Sequence, residues 1–415
     1  PELMPFSQFE GLPLDFPLLG SAEGNQPFKT TKDYDNWLKR IDAFVIWMNT
    51  AEKNFREGMK QNVVLPKKLV VKMIPQMHSE EIITEDFDKN IFYGPIKKMP
   101  KNFSAKDKEK YKILYQEAIS SKIIPAYQKM GDFLEKEYLP KARNTDGINA
   151  LPNGKNIYEY YAKSWTTTNK TPEEINKIGL QQVAMLRAEM EKVKTQLGFK
   201  GSLEQFLTSL KTDKKAMPYK TPEEVIAAFN GILKKIEPKL PSMFTKFPKT
   251  PFEIRRTEKF REASASAEYK QGTPDGKRPG IFYTPIPDAT KYNVTNGFES
   301  LFLHEAIPGH HYQVSLQQEN TEIPKFMRFG WFGAYGEGWA HYCETLGPEF
   351  GLYTDPYQKM GYLSDQMLRA VRLVVDTGIH TGKMTREEAI KYYLSNISDS
   401  EEGATAAIER YMAIP

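Results

Sequence analysis

Leu303-His304-Glu305-Ala306-Ile307-Pro308-Gly309-His310-His311-Tyr312-Gln313 is the stretch on which the rest of the chain turns. His304 and Glu305 set an imidazole ligand type directly beside a carboxylate able to act as a base, the opening of an H-E-x-x-H pattern. In that pattern two histidines four residues apart share one helix face, with about 6 Å of axial rise between them. Here the fourth position holds Pro308. Proline offers no N–H to the His304 carbonyl and its ring crowds that turn, so the sequence predicts a helix that breaks or bulges there. Gly309 eases the distortion, and a two-residue expansion returns His310 to the side of His304. His311 is the alternative ligand, because seven residues nearly complete two turns, although about 10 Å farther along a straight helix.

The wider histidine pattern points to the same region. Of six histidines, His304, His310, His311, His341 and His380 fall in the last 112 residues and only His78 lies elsewhere. Downstream, Tyr335-Gly336-Glu337-Gly338-Trp339-Ala340-His341-Tyr342-Cys343-Glu344 places Glu337, His341 and Glu344 along one helical face. A catalytic zinc site takes three protein ligands and leaves a position for water. The expected set is therefore one Zn2+ on His304, His310 and Glu337, with Glu305 as general base and Glu344 orienting a ligand histidine from behind. Trp331, Phe332, Trp339 and Tyr342 read as core or pocket wall, and His341 as a solvated or hydrogen-bonded helix residue.

Helical signals dominate outward from this stretch. Tyr34, Trp37, Leu38, Ile41, Val45 and Met48 repeat every three or four residues and predict an amphipathic helix. Thr171-Pro172-Glu173-Glu174 and Thr221-Pro222-Glu223-Glu224 combine a capping Thr, Pro at the first helical position and Glu at the third. Thr385-Arg386-Glu387-Glu388 repeats the chemistry without the proline. One stretch differs: Ser264 to Tyr269 and Gly280 to Thr284, around a turn-rich Gln271–Gly276, predict a short β-hairpin just before the metal-binding helix. The fold class expected is mainly α with that hairpin. Residues 1–150 read as an N-terminal helical region packed on a catalytic region at 151–415, or the whole as one continuous domain.

Composition removes other classes. With 57 basic against 53 acidic residues the formal charge is +4, too little to imply a field for nucleic acid or anionic lipid. A hydrophobic fraction of 40% with 27% charged residues is globular, not disordered. Cys343 is the single cysteine, which excludes an internal disulfide framework and Cys-rich metal modules. The chain begins with Pro1, without a basic leader or an apolar run long enough to span a bilayer, and reads as a processed or trimmed piece.

The run His304 to Gln313, the Glu337-Gly338-Trp339-Ala340 segment and Arg372 to His380 together resemble a bacterial family long labelled a domain of unknown function. Phe55-Arg56-Glu57-Gly58 and Glu409-Arg410-Tyr411 extend the resemblance over nearly the whole chain. It implies a secreted or lipid-anchored, predominantly helical, zincin-like architecture of the glutamate-ligand kind. It implies metal binding by His304, His310 and Glu337 with Glu305 catalytic, an extracytoplasmic location, and a lipid anchor outside this chain. Relatives continue past the Arg-Tyr segment, so the C-terminal part is expected to be missing here.

The function expected is a zinc-dependent peptidase. The strand around Phe282 and Tyr283 is a candidate for pairing with an extended peptide substrate, and Arg372, His380 or Tyr411 for holding a carboxylate or oxyanion. Two alternatives share the scaffold: an extracytoplasmic peptide- or polymer-binding protein that does not cut, and a zinc amidase acting on a non-peptide amide. Oligomeric state has no signature in the sequence.

Overall fold

Tyr34, Trp37, Ile41, Phe44, Met48, Ala51 and Phe55 recur at alternating steps of three and four, and all are buried along one side of helix α1 (Thr31–Lys60). A capping box between Thr30 and Asp33 starts that helix, each side chain bonding the other's backbone. The sequence stripe had included Leu38 and Val45, which are half-buried; the fully buried line passes through Phe44 instead. The computed structural model describes residues 2–24, 26–259, 262 and 265–415. It is mainly helical, with one small sheet.

The chain divides into two units, Pro1–Tyr158 with Gly378–Arg386 and Thr405–Pro415, and Glu159–Thr377 with Glu387–Ala404. In the first, α1 packs with α2 (Lys67–Met77), α3 (Ala105–Ala118) and α4 (Ile124–Phe133) around an aromatic core containing Trp37, Phe44, Phe55, Tyr115 and Tyr127. Each such ring removed from water contributes roughly 2 kcal/mol before conformational entropy is counted. The C-terminal pieces join this unit by specific bonds. Arg386 reaches Glu409 at 2.6 Å and its N–H donates to Asp146 at 2.8 Å. A division read along the chain at residue 150 does not capture that return.

In the second unit, α5 (Pro172–Gln196) and α6 (Pro222–Ile236) begin at the Thr-Pro caps expected, and Thr171 with Glu174 completes a capping box. The sheet has β1 (Phe252–Arg256), β2 (Glu268–Lys270) and β3 (Gly280–Thr284) in the order β1-β3-β2. The hairpin is present as antiparallel β2 and β3, with Tyr269 opposite Phe282, and β1 adds a parallel strand that the sequence reading missed. Ser264, where the first hairpin strand had been expected to start, lies outside the described residues.

Four further helices carry the site: α7 (Phe298–Glu305), α8 (His310–Glu319), α9 (Gly333–Thr345) and α10 (Pro356–His380). Phe298, Phe302 and Leu303 of α7 enter a core with Phe229 of α6 and Phe282 of β3, where the Phe229 and Phe298 rings stack at 4.1 Å. That buried face fixes the helix about its axis and thereby sets where His304 and Glu305 point. Among the described residues no helix is long and apolar enough to cross a membrane.

Candidate metal centre

α7 stops at Glu305 and α8 starts at His310, so the helix breaks where Pro308 demands it. The four intervening residues fold back onto the end of α7. The His311 N–H donates to Ala306 O at 3.1 Å and that of Gln313 to Gly309 O at 3.0 Å. Gly309 lies so close to the carbonyls of Leu303 and His304 that a Cβ there would collide with both. The Ile307–Pro308 peptide is cis. The reversal brings the His304 and His310 rings to 4.7 Å at 86°.

Glu337 on α9 completes the group. Its Oε2 lies 3.3 Å from His304 Nε2 and its Oε1 3.7 Å from His310 Nε2. One donor atom from each of the three residues lies within 4.8 Å of the others. Donors around a tetrahedral zinc with bonds of about 2.0–2.1 Å stand about 3.3 Å apart. The spacing and the imidazole-imidazole-carboxylate chemistry therefore fit zinc. Both histidines are buried, whereas the Glu337 side chain is 59% exposed, so the group has a solvent-facing side.

Charge supports the same fit. Burial alone would lower His304, but the carboxylates of Glu337 and Glu344 outweigh it and raise the imidazole to about 9. Glu337 is pulled far below the carboxylate range, first by His304 and then by His310. Two carboxylates around one imidazole favour positive charge between His304 and Glu337, as a divalent cation there would supply. Glu305, buried beside them, is raised by desolvation, partly offset by the nearby histidines. A carboxyl held above its usual range is suited to exchanging protons.

The layer behind the ligands comes from α9 and α10. His304 Nδ1 donates to Glu344 Oε1 at 2.8 Å, leaving Nε2 for the metal side. Glu344 is fully buried and also receives Arg369 at 2.9 Å and the Gln366 amide at 2.9 Å. Burial pushes its carboxyl up, but His304, His341 and Arg369 prevail and bring it to about 2. The Ser300 hydroxyl donates to Asp365 at 2.5 Å, one α10 turn before Arg369. Asp365, Gln366 and Arg369 were missed in the sequence. Their signal in the sequence is no more than three polar residues at i, i+1 and i+4 of a long helix.

Other expected site residues are placed differently. His311 turns from the metal side into the interior, 1% exposed, with Nδ1 at 3.1 Å from the Tyr269 hydroxyl. Its imidazole is lowered to about 4 by burial. Tyr283 is in the central strand, paired with Arg255 of β1 and Glu268 of β2. Neither edge of β3 is open at that position, which corrects the expectation that this strand takes a peptide. His380 is 1% exposed, with Nδ1 accepting from the Ile148 N–H at 3.1 Å and Nε2 donating to Tyr411 O at 2.9 Å. Both ring nitrogens are engaged by backbone, so His380 and the Tyr411 carbonyl act as a structural tie rather than a substrate contact. Arg372 is exposed; the α10 arginine that reaches the centre is Arg369.

A second group, His78, Asp132 and Glu135, also comes within 4.8 Å, but both acids are exposed and Asp132 pairs with Lys136 at 2.8 Å. The built site is the one on α7, α8 and α9. Over residues 2–415 the chain matches a family described as bacterial proteins of unknown function. The chain belongs to the DUF885 family.

Solved structures that resemble this DUF885 chain include two lipoprotein candidates. A candidate lipoprotein from Colwellia psychrerythraea is 28% identical with a TM-score of 0.85, over 98% of this chain and 70% of that one. A candidate lipoprotein of unknown function from Shewanella oneidensis shares the fold at 18% identity and a TM-score of 0.68, over 98% of this chain and 72% of that one. No curated protein matches the chain.

Proposed function

We propose that this DUF885 protein is a zinc-dependent peptidase. The observation that carries the reading is the convergence of His304, His310 and Glu337 within 4.8 Å, with the buried carboxylate of Glu305 next in sequence to the first ligand. His304 and His310 would hold the ion through Nε2 and Glu337 through its carboxylate. Zinc, when bound, supplies the Lewis acidity that polarises a carbonyl and acidifies a water molecule. Glu305 takes the proton from the attacking water and returns it to the departing amine, so hydrolysis adds the elements of water across the C–N bond and needs no covalent enzyme intermediate.

An extended peptide requires an exposed strand edge with unpaired backbone groups. The order β1-β3-β2 puts β1 and β2 at the edges of the sheet, and the Tyr269 backbone of β2 bonds Glu305, which brings that strand next to the centre. The lipoprotein description of the Colwellia psychrerythraea neighbour supports an extracytoplasmic location for this protein and a lipid anchor outside the chain.

Zinc-loaded protein incubated with a proteome-derived peptide mixture, with and without a chelator, tests the reading. Chelator-sensitive new peptide termini are the expected result. Intact peptides with bound zinc would instead favour a binding protein or an amidase.

A further inference from the structure

Beside the metal centre lies a cleft of about 730 Å³, within the size range of small-ligand pockets. Its aromatic lining comprises Tyr312, Trp331, Phe332, Tyr335 and Trp339. Trp331 belongs to both places: it lines the cleft, and its ring centroid is 5.6 Å from that of the candidate ligand His310. The Trp331 ring thus forms the partition between the cleft and His310.

The wall is built rather than incidental. Trp331 lies against the backbone of α9 at Gly336, where any Cβ would collide with the indole, one residue before Glu337. Trp339 is fixed by its Nε1–H, which donates to Pro308 O at 2.8 Å in the loop that aims His310. Tyr312 is fixed by its hydroxyl, which donates to the Lys246 carbonyl.

Two polar side chains of the lining, Glu319 and Gln317, are engaged in holding these walls. Glu319 accepts the N–H groups of Lys249 and Thr250 at 2.9 and 2.8 Å. The Gln317 amide donates to the carbonyls of Met327 and Gly330, at 2.6 and 3.1 Å, and accepts from Gln313 at 2.7 Å. A ligand entering the cleft meets ring faces. Trp331 at 53%, Phe332 at 67% and Tyr335 at 60% exposure cluster at one cleft, and such an exposed apolar patch is characteristic of a binding surface.

We propose that this cleft is the side-chain pocket of the metal centre and selects a bulky aromatic side chain beside the bond to be cut, with Trp331 as the specificity-determining residue. The proposal rests on the peptidase reading above. Edge-to-face or offset stacking against Trp331 supplies the preference for rings over small side chains.

Chelating probes separate the two claims. The hydroxamates of N-acetylphenylalanine and N-acetylalanine place a side chain on the acyl side of the metal, and those of benzylsuccinate and methylsuccinate place it on the amine side. In titration calorimetry of the zinc-loaded protein, the aromatic member of at least one pair is expected to bind at least ~10-fold tighter than its methyl analogue, as burial of a ring would give. Trp331→Ala is expected to shrink that gap to less than about threefold with bound zinc unchanged, and Trp331→Phe to keep most of it. Equal affinities within both pairs, or a gap that survives Trp331→Ala, would overturn the pocket. Failure of all four hydroxamates to bind the zinc-loaded protein would overturn the metal-centre reading beneath it.

Discussion

His304 and Glu344 are joined by a 2.8 Å hydrogen bond from the imidazole Nδ1 to a carboxylate that is itself fully buried. The bond settles two things at once. It holds a proton on Nδ1, and it fixes the ring plane so that Nε2 faces Glu337 at 3.3 Å. Arg369 and Gln366 then keep Glu344 charged and in place.

Glu344→Gln is therefore expected to weaken zinc affinity by about 10- to 100-fold, although Glu344 is outside the candidate ligand trio. Competition against a chelating dye measures it. Unchanged affinity would mean that the ring is held by packing alone.

Glu305→Gln and Glu337→Gln separate proton transfer from metal binding. Glutamine at 305 keeps the shape but cannot accept the water proton, so turnover on a peptide found by screening should fall at least ~10²-fold while zinc is retained. At 337 the loss is of zinc itself, and added zinc should partly restore turnover. Near-normal turnover by zinc-loaded Glu305→Gln would remove the general base from the mechanism.

Gly309→Ala should disrupt the reversal that aims His310, since the new methyl meets the carbonyls of Leu303 and His304. Backbone must move to relieve it, at a cost on the order of 1–3 kcal/mol. Elemental analysis should show zinc lost in this variant and in His310→Ala but retained in His311→Ala. The opposite result for the two histidines would assign the ligand to His311.

His311 gives the protein an acid-sensitive term. Its folded value of about 4 lies below the roughly 6.5 of an exposed histidine. Between those values the unfolded chain binds a proton that the folded chain does not, so stability falls as pH drops from about 6.5 toward 4. The full shift corresponds to something on the order of 3 kcal/mol. Urea midpoints at pH 7 and 4.5 should therefore fall less in His311→Phe than in the parent; parallel falls would show that other groups dominate.

The convergence of His304, His310 and Glu337 was legible in the sequence because its signals are local: His304-Glu305, a Pro-Gly that must break a helix, and a carboxylate on the next polar helix face. The rest of the centre depends on chain reversals. Arg369 and Asp365 sit on α10 among apolar residues, and only the packed fold turns that part of the helix toward Ser300 and Glu344. Arg372, one turn beyond Arg369, had the same chemistry but is exposed. The parallel strand β1 was invisible for a similar reason, since a five-residue strand starting at Phe252 acquires its identity from β3, nearly thirty residues later. His380 looked chemical because histidines clustered late in the chain, but burial and two backbone partners make it a tie.

The bond from Trp339 to Pro308 ties the helix bearing Glu337 to the loop preceding His310. Two ligands carried by separate helices thus share a common fastening. Sliding α9 by even one residue would withdraw Glu337 and unlatch the loop together, so the centre should disassemble in a single event, with no long-lived half-coordinated form between the intact and the open states.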